Sequence, residues 1–296
     1  MKRYFNIMGL TLLVMVVTTN ASAQVALTGN SYVQTFDDLS QGLPPGWSAR
    51  TNATVSFLGN EVSFTTNNTS WSNTGGQFAN YASTVSNYGT NFVGTGESAS
   101  VQGACTNRCP GVRQTGSFGD PGAAFVFQLQ NTLGYANLQL TVDLNMLSVQ
   151  TRSNLWVIDY GLGGNPSSFT PVWTNADPGV FGTTSRTVSL GTALDNQSQN
   201  VWIRIVTLDA SAGTGSRDTF GIDNFRLTFE STGAASPIPL NIQLIGTNAV
   251  LTWNNAAFAL QAASQATGVY ANVSGANSPY TNPVAGNQMY FRLKAN

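Results

Sequence analysis

The carboxylates that could do chemistry in this sequence stand at two places. Asp37 and Asp38 follow Phe36 near the start, and Asp218 and Asp223 lie within residues 217–230, R-D-T-F-G-I-D-N-F-R-L-T-F-E. Apolar residues alternate along the second stretch, first Phe220 and Ile222, then Phe225, Leu227 and Phe229, which is the period of a strand. The phase slips by one between the two sets, so a bulge or a change of face is expected there. Asp223 sits at the slip, in register with Phe225 and Leu227, and its carboxylate is expected on the core side. A carboxylate in that position needs a cation or several donors, because burying an unpaired charge is costly. The strand end at residues 34–39 supplies matching acids. The first and last strands are therefore expected side by side, sharing a cation among Asp37, Asp38, Asp218 and Asp223. The competing reading pairs Asp223 with Arg226, Arg217 or backbone amides.

Other reactive groups are few. The chain has no histidine, which excludes Ser-His-Asp triads, Cys-His pairs and His-ligated zinc or iron. Glycoside cleavage needs two carboxylates flanking the bond. The glutamates are Glu61, Glu97 and Glu230, and Glu97, in a long irregular stretch, is the one candidate general acid. Cys105 and Cys109 are the only cysteines. Their C-x3-C spacing in an exported chain favours a disulfide over redox chemistry or zinc. Of six tryptophans, Trp156 and Trp202 lie in apolar strands and are expected in the core, as is Trp253 in a second unit. Trp71 and Trp173 sit among Asn and Ser in turn-rich segments and are the expected platforms for a ligand.

The elements that must position these groups are strands. Residues 1–23 read as a signal peptide, with Lys2 and Arg3, an apolar run over 7–17 and Ala21-Ser22-Ala23 before Gln24. No later stretch could span a bilayer, so a secreted chain without membrane insertion is expected. Without the leader, ten basic residues face thirteen acidic ones, a net charge of −3, which argues against nucleic acid. Charged residues are only 8% of the chain, well below the usual quarter, so the surface must be amide- and hydroxyl-rich. Residues 24–232 alternate strand runs (54–57, 61–65, 123–129, 137–147, 155–160, 187–190, 201–208 and 220–229) with turns, and no amphipathic helix is expected. Residues 75–122 read as one long irregular segment. The result is an all-β antiparallel sandwich. Residues 233–239 form a linker with two prolines, and 240–296 a small β module in which 258–262 reads as a strand despite its alanines.

Several short motifs resemble a known group. Phe36-Asp37-Asp38, leading to Leu43-Pro44-Pro45-Gly46-Trp47, resembles the opening of cleaved-adhesin and anchor-associated jelly-roll domains of secreted bacterial proteins, relatives of MAM-type and carbohydrate-binding-module sandwiches. Val112-Arg113 to Gly116 with Phe125–Leu129 and Asn131-Thr132 looks like their mid-domain pattern, and Phe220-Gly-Ile-Asp223-Asn-Phe225 like their closing strand. The resemblance implies a jelly-roll β-sandwich with calcium where the chain ends meet, held by Asp223 with Asp37 or Asp38 and Asp218. Leu251-Thr-Trp253 and Tyr290-Phe-Arg-Leu293 are similar to C-terminal fibronectin-III-like modules, which implies a small fibronectin/Ig-like β-sandwich. The expected function is non-catalytic binding or adhesion to a polysaccharide or a cell-surface or matrix protein. The alternatives are a carbohydrate-active hydrolase or lyase using loop carboxylates, and a self-associating matrix protein.

Overall fold

The computed structural model describes residues 24–83, 98–175, 184–232, 238–284 and 288–295. The expected leader, Glu97 and linker residues 233–237 lie outside the described residues.

The first unit is built from strands β1 (Ser31–Gln34), β2 (Trp47–Thr51), β3 (Asn60–Val62), β4 (Phe64–Thr69) and β5 (Gln77–Ala82). A short helix α1 (Ala99–Ala104) follows, then β6 (Arg108–Arg113), β7 (Ala124–Leu129), β8 (Tyr135–Ser148) and β9 (Val157–Leu162). The remaining strands are β10 (Thr170–Thr174), β11 (Thr184–Ser189), β12 (Val201–Val206) and β13 (Thr219–Ser231). They form two sheets, β11-β8-β13-β6-β5-β4 with β1 beside β13, and β10-β9-β12-β7-β2-β3. Pairing is antiparallel except between β4 and β5. This is the expected all-β sandwich.

Side-chain alternation explains how the layers close. Leu138, Leu140, Val142, Leu144 and Met146 of β8 are buried between the sheets, while Gln139, Thr141 and Asp143 take the other face. From the opposite sheet Trp47, Phe125, Phe127, Ile158, Ile203 and Ile205 meet them. Each such side chain stabilises the fold by roughly 1.5–3 kcal/mol relative to leaving it in water. β1 pairs with β13 from Ser31 opposite Thr228 to Gln34 opposite Phe225, so the first and last strands of this unit are neighbours, as expected.

Three sequence expectations are corrected. The 75–122 segment is not one irregular loop, since it contains β5, α1 and β6. Residues 54–57 form a tight turn closed by the Thr54 and Phe57 backbones, not a strand. Asp223 lies on the outer face of its sheet. It stands opposite Asp143, and the register to β8 shifts between Asp223 and Arg226. The extra residue is Asn224, at φ 47°, so Asp223 and Phe225 fall on opposite faces.

The second unit has strands β14 (Asn241–Ile245), β15 (Asn248–Thr252), β16 (Phe258–Ala263), β17 (Ala271–Asn272), β18 (Tyr280–Pro283) and β19 (Tyr290–Ala295). They make two three-stranded sheets, β14-β15-β18 and β17-β16-β19. Leu251, Trp253, Phe258 and Leu260 form its own core, with Tyr280, Phe291 and Leu293 packed against them. The alanine-rich segment is a strand because Phe258 and Leu260 alternate inward.

Among the described residues no helix is long and apolar enough to cross a membrane.

Candidate functional site

The bulge in β13 creates an acidic cluster on the outside of its sheet. Ser83 Oγ donates to Asp223 Oδ2 at 2.5 Å, and the Asn224 amide donates to Oδ1 at 2.7 Å. Asn145 Nδ2 donates to Ser83 Oγ at 3.0 Å, while Asn145 Oδ1 is buried with no hydrogen-bond partner. Asn224 also holds Asp143, its Nδ2 lying 2.8 Å from Oδ2. Asp37 accepts a 3.4 Å bond from the Arg108 amide, which hangs the β1–β2 connection on β6. Burial pushes the Asp223 carboxyl up to about 7; the bonds from Ser83 and Asn224 oppose that, and the charges of Asp143 and Asp37 add to it.

Calcium takes carboxylate and amide oxygens, and Asp223 is linked through Ser83 to Asn145, whose Oδ1 lacks a donor. Among the described residues no three acidic or thiol side chains converge on one point, so Asn145, Ser83 and backbone or water oxygens must complete any shell. Two expected ligands stand apart from this cluster. Asp38 is exposed and turned to its own loop, accepting from the Ser40 amide at 3.1 Å and from Ser40 Oγ at 2.7 Å. Asp218 immediately precedes β13, five residues from Asp223 and roughly 16 Å away at the rise of a strand. It is buried and accepts from the Gln150 amide at 2.5 Å. Sequence reasoning missed Asp143, Asn145 and Ser83. Asp143 and Asn145 stand two apart on one strand and so share a face. Nothing in the sequence announces that β8 lies beside β13.

Beside the acidic cluster is a second, smaller core that holds most of the other expected site residues. Trp71, Ala79, Tyr81, Ala82, Cys105, Cys109 and Leu147 pack together on the outer side of the sheet. Trp71 is fully buried. Its indole donates to Ala82 O at 2.9 Å and its backbone amide to Gln102 Oε1 at 2.8 Å. It pins α1 and the preceding loop to the sheet, and it offers no face to a ligand. The expected disulfide is also absent. The two cysteines are buried and not paired with each other. Cys105 caps α1 and its thiol faces Asn107 O at 3.2 Å, whereas Cys109 lies within β6 against Gly221 and Ala82 O. Burial, then the Asp223 charge, pushes the Cys109 thiol up. Arg108 binds this region together through Asn80 Oδ1 at 2.7 Å and Gln102 O at 2.8 Å.

Trp173 lies on edge strand β10, half-buried, with the Arg186 guanidinium 5.6 Å from its ring. Trp202 is on the outer face of its sheet rather than between the layers. Its indole donates to Gly163 O at 2.7 Å, and Arg50 lies over the ring. Other carboxylates are internally engaged. Asp159 pairs with Arg204 at 2.7 and 2.8 Å, and Asp120 accepts from Ser211, Asn154 and Arg217. Glu61 is held by Arg50 and Glu230 by Asn137.

No family model and no curated protein matches this sequence. Solved structures with a loosely similar course include a cleaved adhesin domain of Lys-gingipain from Porphyromonas gingivalis. It shows 13% identity and a TM-score of 0.36 over 68% of this chain and 98% of that domain. The xylan-binding module CBM15 gives 13% and 0.36 over 69% and 99%. The family 11 carbohydrate-binding module of the cellulosomal cellulase Lic26A-Cel5E of Clostridium thermocellum gives 12% and 0.34 over 67% and 95%. Superpositions this loose carry nothing about what this chain binds.

Proposed function

We propose that this is an exported binding protein whose sandwich recognises a glycan without chemical turnover. One observation carries the reading: Asp120, Asp159, Glu61 and Glu230 are each held by partners within the fold, while the chain is poor in charge and rich in amides and hydroxyls. Recognition by such a surface is non-covalent, through aromatic contact and hydrogen bonds. Trp173, half-buried on an edge strand, is the aromatic group of the sandwich that supports it.

Calcium is the proposed structural cofactor. Asp223, with the orphan oxygen of Asn145, Ser83 and backbone or water oxygens, would hold it on the outer face of β13. Bound there, it supplies positive charge to a cluster that otherwise repels itself.

The test is depletion of the protein from solution by a panel of insoluble polysaccharides, with calcium or with chelator. Selective depletion by one polymer, weakened about tenfold by Trp173→Ala, is the expected result; a tenfold loss corresponds to about 1.4 kcal/mol. Depletion by no polymer overturns the glycan reading in favour of protein adhesion or self-assembly. Calcium is expected to raise the thermal midpoint of the natural chain and not that of Asp223→Asn. An unchanged midpoint in both sinks the cofactor.

A further inference from the structure

The C-terminal unit carries a recess of about 590 Å³ between the β15–β16 and β17–β18 connections. Its lining combines the largely buried Trp253 and Phe258 with Asn254, Asn272, Ser274 and Asn277. We propose that this recess is a second ligand site, independent of the sandwich, which takes a short neutral oligosaccharide.

The size falls within the roughly 300–1,000 Å³ of small-ligand sites, too small for the surface of a folded partner. The walls are fixed before any ligand arrives. The Trp253 amide donates to Ser278 Oγ at 2.9 Å, joining the two connections, and the Val273 amide donates to Leu260 O at 2.8 Å. A preorganised wall spares the ligand the cost of ordering it.

The rim chemistry selects the ligand. An amide side chain both donates and accepts, which matches a hydroxyl group. Asn254 is exposed and makes no hydrogen bond among the described residues, so both of its polar atoms are available. Asn272 uses its Oδ1 to accept from Gln261 at 2.8 Å, which leaves its Nδ2 as a donor. No charged residue stands between Glu230 and Arg292. Arg292 itself is held by Gln261 Oε1 at 2.9 Å and lies 4.2 Å from the Tyr270 ring centroid. Neither Arg292 nor Lys294 lines the recess, so an acidic or phosphorylated ligand would find no counter-charge in its wall. A neutral sugar would set its hydroxyls against these amides.

The experiment uses the full chain, labelled with 15N, and follows the side-chain amide signals of Asn254, Asn272 and Asn277. Cello-, xylo-, manno- and chito-hexasaccharides are added separately, with oligogalacturonate as the charged comparison. At least one neutral probe is expected to shift these signals in a saturable way, and oligogalacturonate is not. Asn254→Ala combined with Asn277→Ala, both exposed, is expected to weaken that binding about tenfold or more, while Trp173→Ala leaves it unchanged. Failure of every neutral probe to move these signals at millimolar concentration overturns the site. Equal shifts with oligogalacturonate overturn its neutral specificity. Shifts confined to the sandwich leave the first reading intact and remove this one.

Discussion

Asp120 and Asp223 are both buried acids, and their neighbours send them in opposite directions. Burial raises Asp120, but donors from Asn154, Ser211 and Arg217 outweigh it and hold the carboxyl at about 2. Asp223 receives only one hydroxyl and one amide, faces two other acids, and is pushed up to about 7. The sign for Asp120 follows from linkage. Its folded value lies below the unfolded value of about 4, so its stabilisation is present above pH 4 and is lost as pH falls through about 2. Asp120→Asn is expected to cost about 2 kcal/mol at neutral pH, and denaturant midpoints taken down to pH 2 should show the gap to the natural chain closing. A gap that stays constant with pH would mean these ion pairs add nothing. The sequence could not show this site, because the partners come from residues 152, 154, 211 and 217 on separate connections.

Strands that alternate cleanly were legible at the level of elements, and those that do not were not. β7, β8, β12 and β13 announce themselves through buried Leu, Val, Ile and Phe at every second position. β5 and β6, by contrast, read Q-F-A-N-Y-A and R-C-P-G-V-R, with small residues and two turn formers. They are strands because both faces are covered: the sandwich core lies below and Trp71, Cys105 and α1 above. Gly111 is needed there, since a Cβ would stand 2.6 Å from the Tyr81 ring and 3.0 Å from Phe220 O. Pro110 is tolerated because β13 pairs with β6 only from Gly111 to Arg113. The same covering of an outer face occurs on the other sheet. There Arg204, fully buried, grips Asp159 and also donates to Thr54 O at 3.1 Å and Phe57 O at 2.9 Å. The turn at 54–57 is thus held down by one guanidinium. Arg204→Met should destabilise by about 3–5 kcal/mol, because it strands a buried carboxylate. Adding Asp159→Leu should recover most of that loss in denaturant unfolding. A double variant as unstable as the single one would place the contribution in the turn contacts rather than the ion pair.

For the molecule as a whole, scarcity of charge was the most informative feature of the sequence, and the structure shows where the remaining charges go. Arg50, Arg108, Arg152, Arg204 and Arg217 are tied to carboxylates or carbonyl oxygens inside the fold, so few basic groups are left to attract a polyanion. The C-terminal unit, neutral from its first strand to Arg292, adds only Arg292 and Lys294. Binding by such a molecule has to rest on short-range contacts that salt does not screen. A polymer that depletes the protein at low ionic strength should therefore deplete it to within about twofold at high ionic strength, where screening has shortened to about 3 Å at 1 M. The measurement is the retained fraction on the selected polysaccharide across a salt series. If retention falls steeply with salt, surface cations contact an anionic partner, and a neutral glycan is the wrong ligand for both the sandwich and the recess in the C-terminal unit.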